Sequence, residues 1–505
     1  MGKKNRYGDE NDIAYNYAEY LNEAVNGYKR KTELSTVPER FKLNKEKSCV
    51  CFGIPKNEGY NDFIVGMSEG EDGNVLVVGG SGSGKSSGII EPTTMTWNAA
   101  MCVTDIKGEL SSHYCELYNK GIVKRRALIF DPTSADSPSY DPFYCIIHGD
   151  SIDLFDDMRQ IVHAIFPIPA YTKEPYWREC VQEIFLGALL YYYNLGLSFN
   201  QTISAILTLG VAEICEAIRK SSDDAAKRYI GAFENLNPEM LATFDRELRN
   251  GLTVFSEPHI QNAFRGERDE ARFFSWDCVD EFNVFLKIPE NRIEQWSGLI
   301  NLMYSQLMHY LELRPDKYSI EETGNMPVLL IMDEFAKFGK LDYLKNAIST
   351  LRSKSVNICL VIQSIAQLDS IYGQNERRII MDNCRFKAIL NANDSETQKL
   401  LAELIGTHIV VEHNFSTNKE NLDSIDSYSH KREYIVQPHE LAYLNDVILL
   451  TPDGSCRIHK IKLYSKENNP FYDCLNVEKA NVVCGNPYSG KIRVEILNEP
   501  KNRKW

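Results

Sequence analysis

Val75-Leu76-Val77-Val78-Gly79-Gly80-Ser81-Gly82-Ser83-Gly84-Lys85-Ser86 is the stretch that decides the fold of this chain. A short, unbroken apolar run gives way to a glycine-rich loop that closes on Lys-Ser. Gly79, Gly84, Lys85 and Ser86 meet the G-x-x-x-x-G-K-[ST] phosphate-loop pattern. The run reads as a buried strand, and Ser87 to Ile90 as the opening of a helix. Glycines at 79, 80, 82 and 84 let backbone amides turn inward around an anion, where a Cβ would block the approach. The helix start adds its unsatisfied N–H groups and the positive end of its dipole. The expected cradle is Gly79, Gly80, Ser81, Gly82, Ser83, Gly84, Lys85, Ser86 and Ser87. Lys85 is expected to reach the β- and γ-phosphates and the Ser86 hydroxyl to ligate Mg²⁺. The pattern implies a bound nucleoside triphosphate.

Composition limits what surrounds the loop. The chain has 505 residues, enough for two or three domains, with 43% apolar and 25% charged residues, as in ordinary globular proteins. No stretch reaches the length of an apolar membrane-spanning helix, and Met1 to Arg30 lacks the apolar core of a secretory signal. The 13 cysteines are scattered without zinc spacing, Cys49-Val-Cys51 being the closest pair, and they read as free thiols in a reducing compartment. A net charge of −14 argues against a bulk electrostatic nucleic-acid binder. Any such contact falls to local clusters: Lys29-Arg30-Lys31, Lys124-Arg125-Arg126, Arg352-Ser-Lys354, or Lys501, Arg503 and Lys504. Each of these reads as a solvated charged turn before it reads as a binding patch.

Further short apolar runs occur at Met101–Thr104, Ala127–Phe130, Val284–Ile288, Val328–Met332, Ile358–Ile362, Ala388–Leu390 and Val447–Leu450. Continuous rather than alternating apolarity predicts strands covered on both faces. Helical segments between them, such as Leu341–Arg352, predict a doubly wound α/β sheet with nucleotide at the carboxyl ends of its strands. The segment from Ser151 to Phe274 differs. Trp177, Val181, Ile184, Ala188 and Tyr192 recur at helical spacing in Glu174–Asn194, and helices are expected over Ile203–Arg219, Ala225–Glu234 and Glu239–Ser256. The division expected is an N-terminal segment over 1–50, a discontinuous nucleotide-binding domain over 51–150 and 275–505, and an all-α domain over 151–274. Polar Asn418–Ser429 predicts an exposed loop.

Val328-Leu329-Leu330-Ile331-Met332-Asp333-Glu334 delivers two carboxylates to the end of a strand. Beside a phosphate loop, Asp333 is expected to hold Mg²⁺ and Glu334 to take the proton of the water that attacks the γ-phosphate. The next run ends in Gln363, whose amide suits a hydrogen bond to that water or to the γ-phosphate. A transfer enzyme would need an acceptor pocket that the sequence does not display.

The phosphate loop, the Asp105-Ile-Lys107-Gly108-Glu109 turn and Asp333-Glu334-Phe335-Ala336 with Phe338-Gly339 together resemble the TraG-like coupling ATPases of type IV secretion and conjugation. So do Gln363-Ser364-Ile365-Ala366-Gln367-Leu368 ending at Tyr372-Gly373, and Pro175-Tyr176-Trp177 opening a long helix. The resemblance covers Gly73 to Tyr464. It implies a RecA-like P-loop NTPase domain with a central, mostly parallel sheet and an inserted all-α domain. It further implies ATP and Mg²⁺ as cofactors, a hexameric ring, and delivery of a DNA–relaxase substrate to the secretion channel. In such rings a neighbour's arginine commonly meets the γ-phosphate, and Arg385 is the first choice here, with Arg377 and Arg378 behind it.

Members of that family usually begin with membrane-spanning helices, which this sequence lacks. Either an anchor has been removed, or the chain is a soluble member recruited by a small membrane partner to the inner face of a bacterial cell membrane. Its Met1 favours the second. The rival functional reading is a nucleotide-switched adaptor that recognises secreted proteins without itself moving DNA.

Overall fold

The structure, a computed structural model, describes residues 34, 36–56, 62–147, 154–168, 172–233, 237–265, 273–317, 326–341, 343–417 and 424–475. Its first strands are β1 (Lys42–Asn44), β2 (Cys49–Gly53), β3 (Phe63–Ser68), β4 (Val75–Val78), β5 (Ala100–Asp105), β6 (Arg126–Phe130) and β7 (Ser139–Tyr140). They are followed by β8 (Phe273–Phe274), β9 (Phe282–Lys287), β10 (Val328–Met332), β11 (Val356–Ile362) and β12 (Phe386–Ile389). The last are β13 (Thr407–Thr417), β14 (Ser424–Tyr434), β15 (Val447–Thr451) and β16 (Gly454–Ile458).

A nine-stranded sheet runs β16-β15-β12-β4-β11-β10-β5-β9-β6. Every pairing from β12 to β6 is parallel, and β15 and β16 close one edge as an antiparallel pair. All the apolar runs read as strands lie in this sheet, and their continuity has a direct cause. Val75, Val77, Leu329, Ile331, Cys359 and Val361 enter the core on one face, whereas Leu76, Val78, Leu330, Met332, Ile358 and Leu360 enter that on the other. Sequence patterning missed β16, which alternates exposed and buried residues. It also missed the small antiparallel sheet β1-β3-β2, which packs on the first face through Phe41, Leu43, Phe52 and Ile64.

The helices are α1 (Glu91–Thr96), α2 (Glu109–Asn119), α3 (Pro142–Ile147), α4 (Leu154–Ile165), α5 (Tyr176–Asn194), α6 (Phe199–Leu209), α7 (Val211–Lys220) and α8 (Asp224–Ile230). After these come α9 (Pro238–Leu252), α10 (Pro258–Ala263), α11 (Ser297–Glu312), α12 (Leu344–Thr350), α13 (Ile365–Asn383), α14 (Ser395–Ile405) and a final turn, α15 (Tyr472–Leu475). Helix α5 buries far more than the stripe expected of it. Cys180, Gln182, Phe185, Leu186, Leu189 and Leu190 are buried as well, so α5 is the central helix of its block. The single helix expected over Ile203–Arg219 is two, bent by 113°. Gly210 adopts φ 87°, a left-handed value that a β-carbon resists, and the new helix start is held by Val211 N–H donating to Asp245 Oδ1 at 3.1 Å. Part of the loop expected over Asn418–Ser429 is strand: Ser424–Ser429 belongs to β14, paired in register with β13. Positions 418–423 lie outside the described residues.

The helical block is continuous with the second face of the sheet through an aromatic seam. Trp276 Nε1 donates to Tyr140 Oη at 2.8 Å, and Tyr140 Oη donates to Gln306 Oε1 at 2.6 Å. Arg125, in one of the basic clusters, is spent inside the fold, donating to Asn283 Oδ1 at 3.2 Å and to the Val279 carbonyl at 2.9 Å. Lys354 pairs with Asp316 at 3.2 Å. The clusters at 29–31 and 501–504 lie outside the described residues. Cys49 and Cys51 are buried together in β2, where burial pushes the Cys49 thiol up to about 12, so both are inert core groups. Among the described residues no single helix is long and apolar enough to cross a membrane.

Asn74, 3% exposed just before β4, ties the sheet to the helices. It donates to the carbonyls of Ile348 (2.9 Å) and Asn383 (3.4 Å) and accepts from Ile358 N–H (2.9 Å). Replacing it with alanine strands a buried N–H and two carbonyls. Asn74→Ala is expected to lower stability by about 2–3 kcal/mol, read as a lower urea midpoint.

Candidate active site

The strand order places the segments of interest side by side. β4 lies between β11 and β12, and β10 lies beyond β11, so the residues following all four strands meet at one edge of the sheet. Gly79 N–H donates to the Ile362 carbonyl at 3.1 Å, and Leu390 N–H donates to that of Val78 at 2.9 Å. Both flanking strands therefore run up to the start of the loop.

The four loop glycines have two different reasons. Gly82 and Gly84 take φ values of 72° and 92°, in the left-handed region. Gly79 and Gly80 are there for close approach. A Cβ on Gly79 would lie 2.4 Å from Ser83 Oγ, and one on Gly80 would lie 2.8 Å from Asn393 Nδ2. Ser81 and Gly82 are exposed, and Ser83 Oγ is buried with no hydrogen-bond partner among the described residues. The chain then enters a wide π turn over Ser86–Ile90 rather than a regular α-helix, with Gly88 N–H bonded to the Gly84 carbonyl at 2.8 Å, and continues as α1. Lys85 is buried, its ammonium donating to the carbonyls of Gly79 (2.7 Å) and Gly80 (3.1 Å). Burial pulls its pKa below the ordinary lysine value, against the carboxylates of Glu334 and Asp333, which raise it.

Asp333 and Glu334 follow β10 as expected, and the backbone explains the residues around them. Glu334 has φ 50° and ψ 38°, a left-handed conformation that a non-glycine residue adopts only when its surroundings enforce it. Enforcement comes from two buried rings in the turn after it. Phe335 stacks on Tyr372 with centroids 5.8 Å apart, and Phe338 stacks on Tyr304 at 6.2 Å. Gly339 then leaves the turn at φ 76°, and Tyr372 Oη accepts Leu341 N–H at 3.1 Å. Gly373, at φ 74°, breaks α13 directly after Tyr372. The Phe-x-x-Phe-Gly and Tyr-Gly pairs are thus one clamp that aims Glu334.

Gln363 meets Glu334: its Nε2 donates to Glu334 Oε2 at 2.8 Å. The Gln363 backbone N–H is held by Gln367 Oε1 at 3.1 Å, at the capped start of α13. Lys337, which sequence reading did not single out, lies 3.9 Å from Glu334 Oε2 and 3.1 Å from Glu290 Oε1. Asp333 Oδ1 accepts Glu334 N–H at 3.0 Å. Burial, and then repulsion from Glu334, push the Asp333 pKa up to about 6, and the Glu334 N–H and Lys85 oppose the rise.

Other positions go elsewhere. Asp105 is turned to the start of α2, accepting Ser111 N–H at 2.8 Å and Ser111 Oγ at 2.6 Å. Arg385 precedes β12, whose Phe386 pairs with Val75 at the start of β4. It therefore lies at the sheet edge opposite the chain's own phosphate loop, donating to the Asp72 carbonyl at 3.0 Å. Arg377 is buried and 2.8 Å from Asp369, and Arg378 is exposed. Sequence reading also passed over Asn391, whose Oδ1 accepts Gly80 N–H at 2.6 Å. Its signal was present: Asn391-Ala-Asn393-Asp394 is a polar cluster closing an apolar run, as Gln363 is.

A loop with a buried lysine and an unpartnered serine hydroxyl, facing one carboxylate of raised pKa, fits a magnesium triphosphate. Comparison with known proteins finds relatives in sequence and in fold. The family described as Type IV secretory system Conjugative DNA transfer matches residues 40–483. VirD4 of Rhizobium radiobacter is 21% identical over 79% of this chain and 58% of its own length. The conjugal transfer protein TraG of Escherichia coli is 22% identical over 76% of this chain and 62% of its own. The chain thus spans about three fifths of the length of these relatives. Among solved structures, the plasmid coupling protein TrwB in complex with a non-hydrolysable ATP analogue aligns with TM-score 0.62 at 17% identity, covering 83% of this chain and 91% of that one. TrwB in complex with ADP and Mg²⁺ aligns with TM-score 0.56 at 17% identity, covering 80% and 88%. These likenesses establish the RecA-like fold.

The raised pKa of Asp333 gives a stability signature. The folded chain favours the protonated carboxyl, so that contribution is full below about pH 4 and is lost as pH rises through about 6. Asp333→Asn is therefore expected to stabilise the nucleotide-free chain by about 1–3 kcal/mol at pH 7.5 and by nothing near pH 4. Urea unfolding across that range measures it.

Proposed function

The chain belongs to the type IV secretory system conjugative DNA transfer family, and from that premise we propose that it is an ATP-hydrolysing coupling motor. It would recruit a DNA–relaxase nucleoprotein and deliver it to a type IV secretion channel, acting as a hexameric ring held at the inner face of the membrane by partner proteins. The all-α block over 151–274 is read as the domain carried on the motor sheet. The observation that carries the hydrolytic reading is the 2.8 Å bond between Gln363 and Glu334, formed beside a phosphate loop by residues of adjacent strands. A carboxylate and an amide in contact there suit a water to be deprotonated and oriented, as hydrolysis needs and a transfer to a bound acceptor does not.

In this reading the loop amides from Gly82 to Ser86 and the Lys85 ammonium hold the triphosphate. The Ser86 hydroxyl and the Asp333 carboxylate would hold Mg²⁺, which when bound would neutralise charge on the triphosphate. Glu334 accepts the proton of the attacking water as that water adds to the γ-phosphorus and the β-phosphate oxygen leaves. Gln363 fixes the direction of the Glu334 carboxylate. The left-handed backbone at Glu334 keeps the carboxylate preorganised, since the clamp has already set its position before substrate arrives. An arginine completing the site would come from a neighbouring subunit, with Arg385 the first residue to test.

Purified protein is expected to hydrolyse ATP faster with DNA than without. Lys85→Ala and Glu334→Gln are expected to lower kcat by about 10²-fold or more, and Gln363→Ala by about tenfold. Equal hydrolysis with and without DNA, together with no DNA binding, would overturn the motor. Full transfer activity in Glu334→Gln would instead favour the adaptor reading, in which nucleotide only switches assembly.

A further inference from the structure

The segment after β12 closes on the phosphate loop from the side away from Gln363. Asn391 Oδ1 takes the Gly80 N–H at 2.6 Å, and the Asn393 amide fills the space where a Gly80 side chain would stand. The segment that carries them is itself pinned. Leu390 N–H is bonded to the Val78 carbonyl at 2.9 Å, and Ala392 N–H to that of Leu441 at 2.8 Å. Lys460 Nζ bridges the carbonyls of Leu390 (3.1 Å) and Leu444 (3.0 Å). Gln398 Nε2 returns to the Ala392 carbonyl at 2.9 Å, and Asp394 caps α14 through Thr397 N–H at 2.9 Å.

A loop with glycine at 79, 80, 82 and 84 has a large conformational ensemble, and every conformer whose amides diverge binds phosphate poorly. Its exit is fixed by the π turn that begins at Ser86. Its entry is fixed on one side by β11 through Gly79 N–H. The Gly79–Gly80 peptide in between is held at its carbonyl by Lys85 Nζ at 2.7 Å, and at its N–H by Asn391. We propose that Asn391 is a positioning residue of the phosphate loop. Its carboxamide holds the Gly80 peptide so that the amides beyond it converge on the triphosphate, which lowers the ordering needed on binding. This inference rests on the reading of the loop as an ATP site.

The test uses the full chain and a fluorescent ADP analogue, with steady-state ATP hydrolysis alongside. Asn391→Ala is expected to raise Kd for the ADP analogue and KM for ATP by about three- to tenfold. The kcat at saturating ATP should stay within about twofold, because a bound triphosphate restores the loop. Asn391→Ser, whose hydroxyl is too short to reach Gly80, should behave alike and covers the case in which the alanine variant folds poorly. An unchanged Kd in a folded variant overturns the inference, as does a fall in kcat with Kd unchanged, which would place Asn391 in the chemistry. If the wild-type chain binds no ADP analogue, the ATP-site reading itself fails. If wild type binds and both variants bind equally well, this inference fails alone.

Discussion

The placement of β4 between β11 and β12, all three parallel, is the constraint on which the rest of the structure depends. It joins a strand near residue 75 to strands that begin at Val356 and Phe386, so the sheet's centre closes only when distant parts of the chain have met. Burial on both faces supports such a pairing, since each strand contributes apolar side chains to two cores. Asn74 adds a polar stitch at the base of the same strands. The consequence at the other end of the strands is geometric. Gly79 and Gly80 emerge between the ends of β11 and β12, where an added Cβ would crowd Ser83 Oγ at the first position and Asn393 Nδ2 at the second.

The same economy governs the carboxylate pair. A left-handed Glu334 is unfavourable by an amount on the order of 1 kcal/mol or more, and it persists because the turn behind it is anchored by buried, stacked aromatic rings. Tyr372 belongs to α13 and Tyr304 to α11, so the pose of one catalytic candidate is set by rings from two helices distant from it in sequence. Motifs that look like a string of separate signatures along the sequence are, in space, the two halves of that clamp.

What was legible in the sequence was what a single local rule decides. Unbroken apolar runs gave the central strands, and glycine with Lys-Ser gave the phosphate loop. Asp333, Glu334 and Gln363 were legible as polar residues ending such runs. What was not legible depended on partners far away. β16 is an edge strand with one covered face, so it carries no unbroken run. The bend at Gly210 is invisible to a periodicity that continues across it, because α6 and α7 keep apolar residues at helical spacing on either side. Asn391 was missed because its importance lies in a hydrogen bond to Gly80, a residue 311 positions away in sequence.

A phosphate loop flanked on both sides also bears on how the state of the site can leave it. Gln363 leads directly into α13, and Asn391 into α14, and the two helix starts are joined by Ile365 N–H donating to Thr397 Oγ1 at 3.0 Å. Helix α14 ends at Gly406, from which β13 sets out, while Ile435 N–H returns from beyond β14 to the Gly406 carbonyl at 3.1 Å. The β13–β14 hairpin is therefore mounted on the far end of a helix whose near end abuts the loop. Proximity alone transmits nothing: a joint biases the hairpin only if two states of the site hold it differently. On the proposed reading the Gln363–Glu334 bond would meet that condition, because a γ-phosphate and its attacking water would compete for the same amide and the same carboxylate. A change of partner at Gln363 would act beside the capped start of α13, and the Ile365–Thr397 bond puts the start of α14 one contact further on.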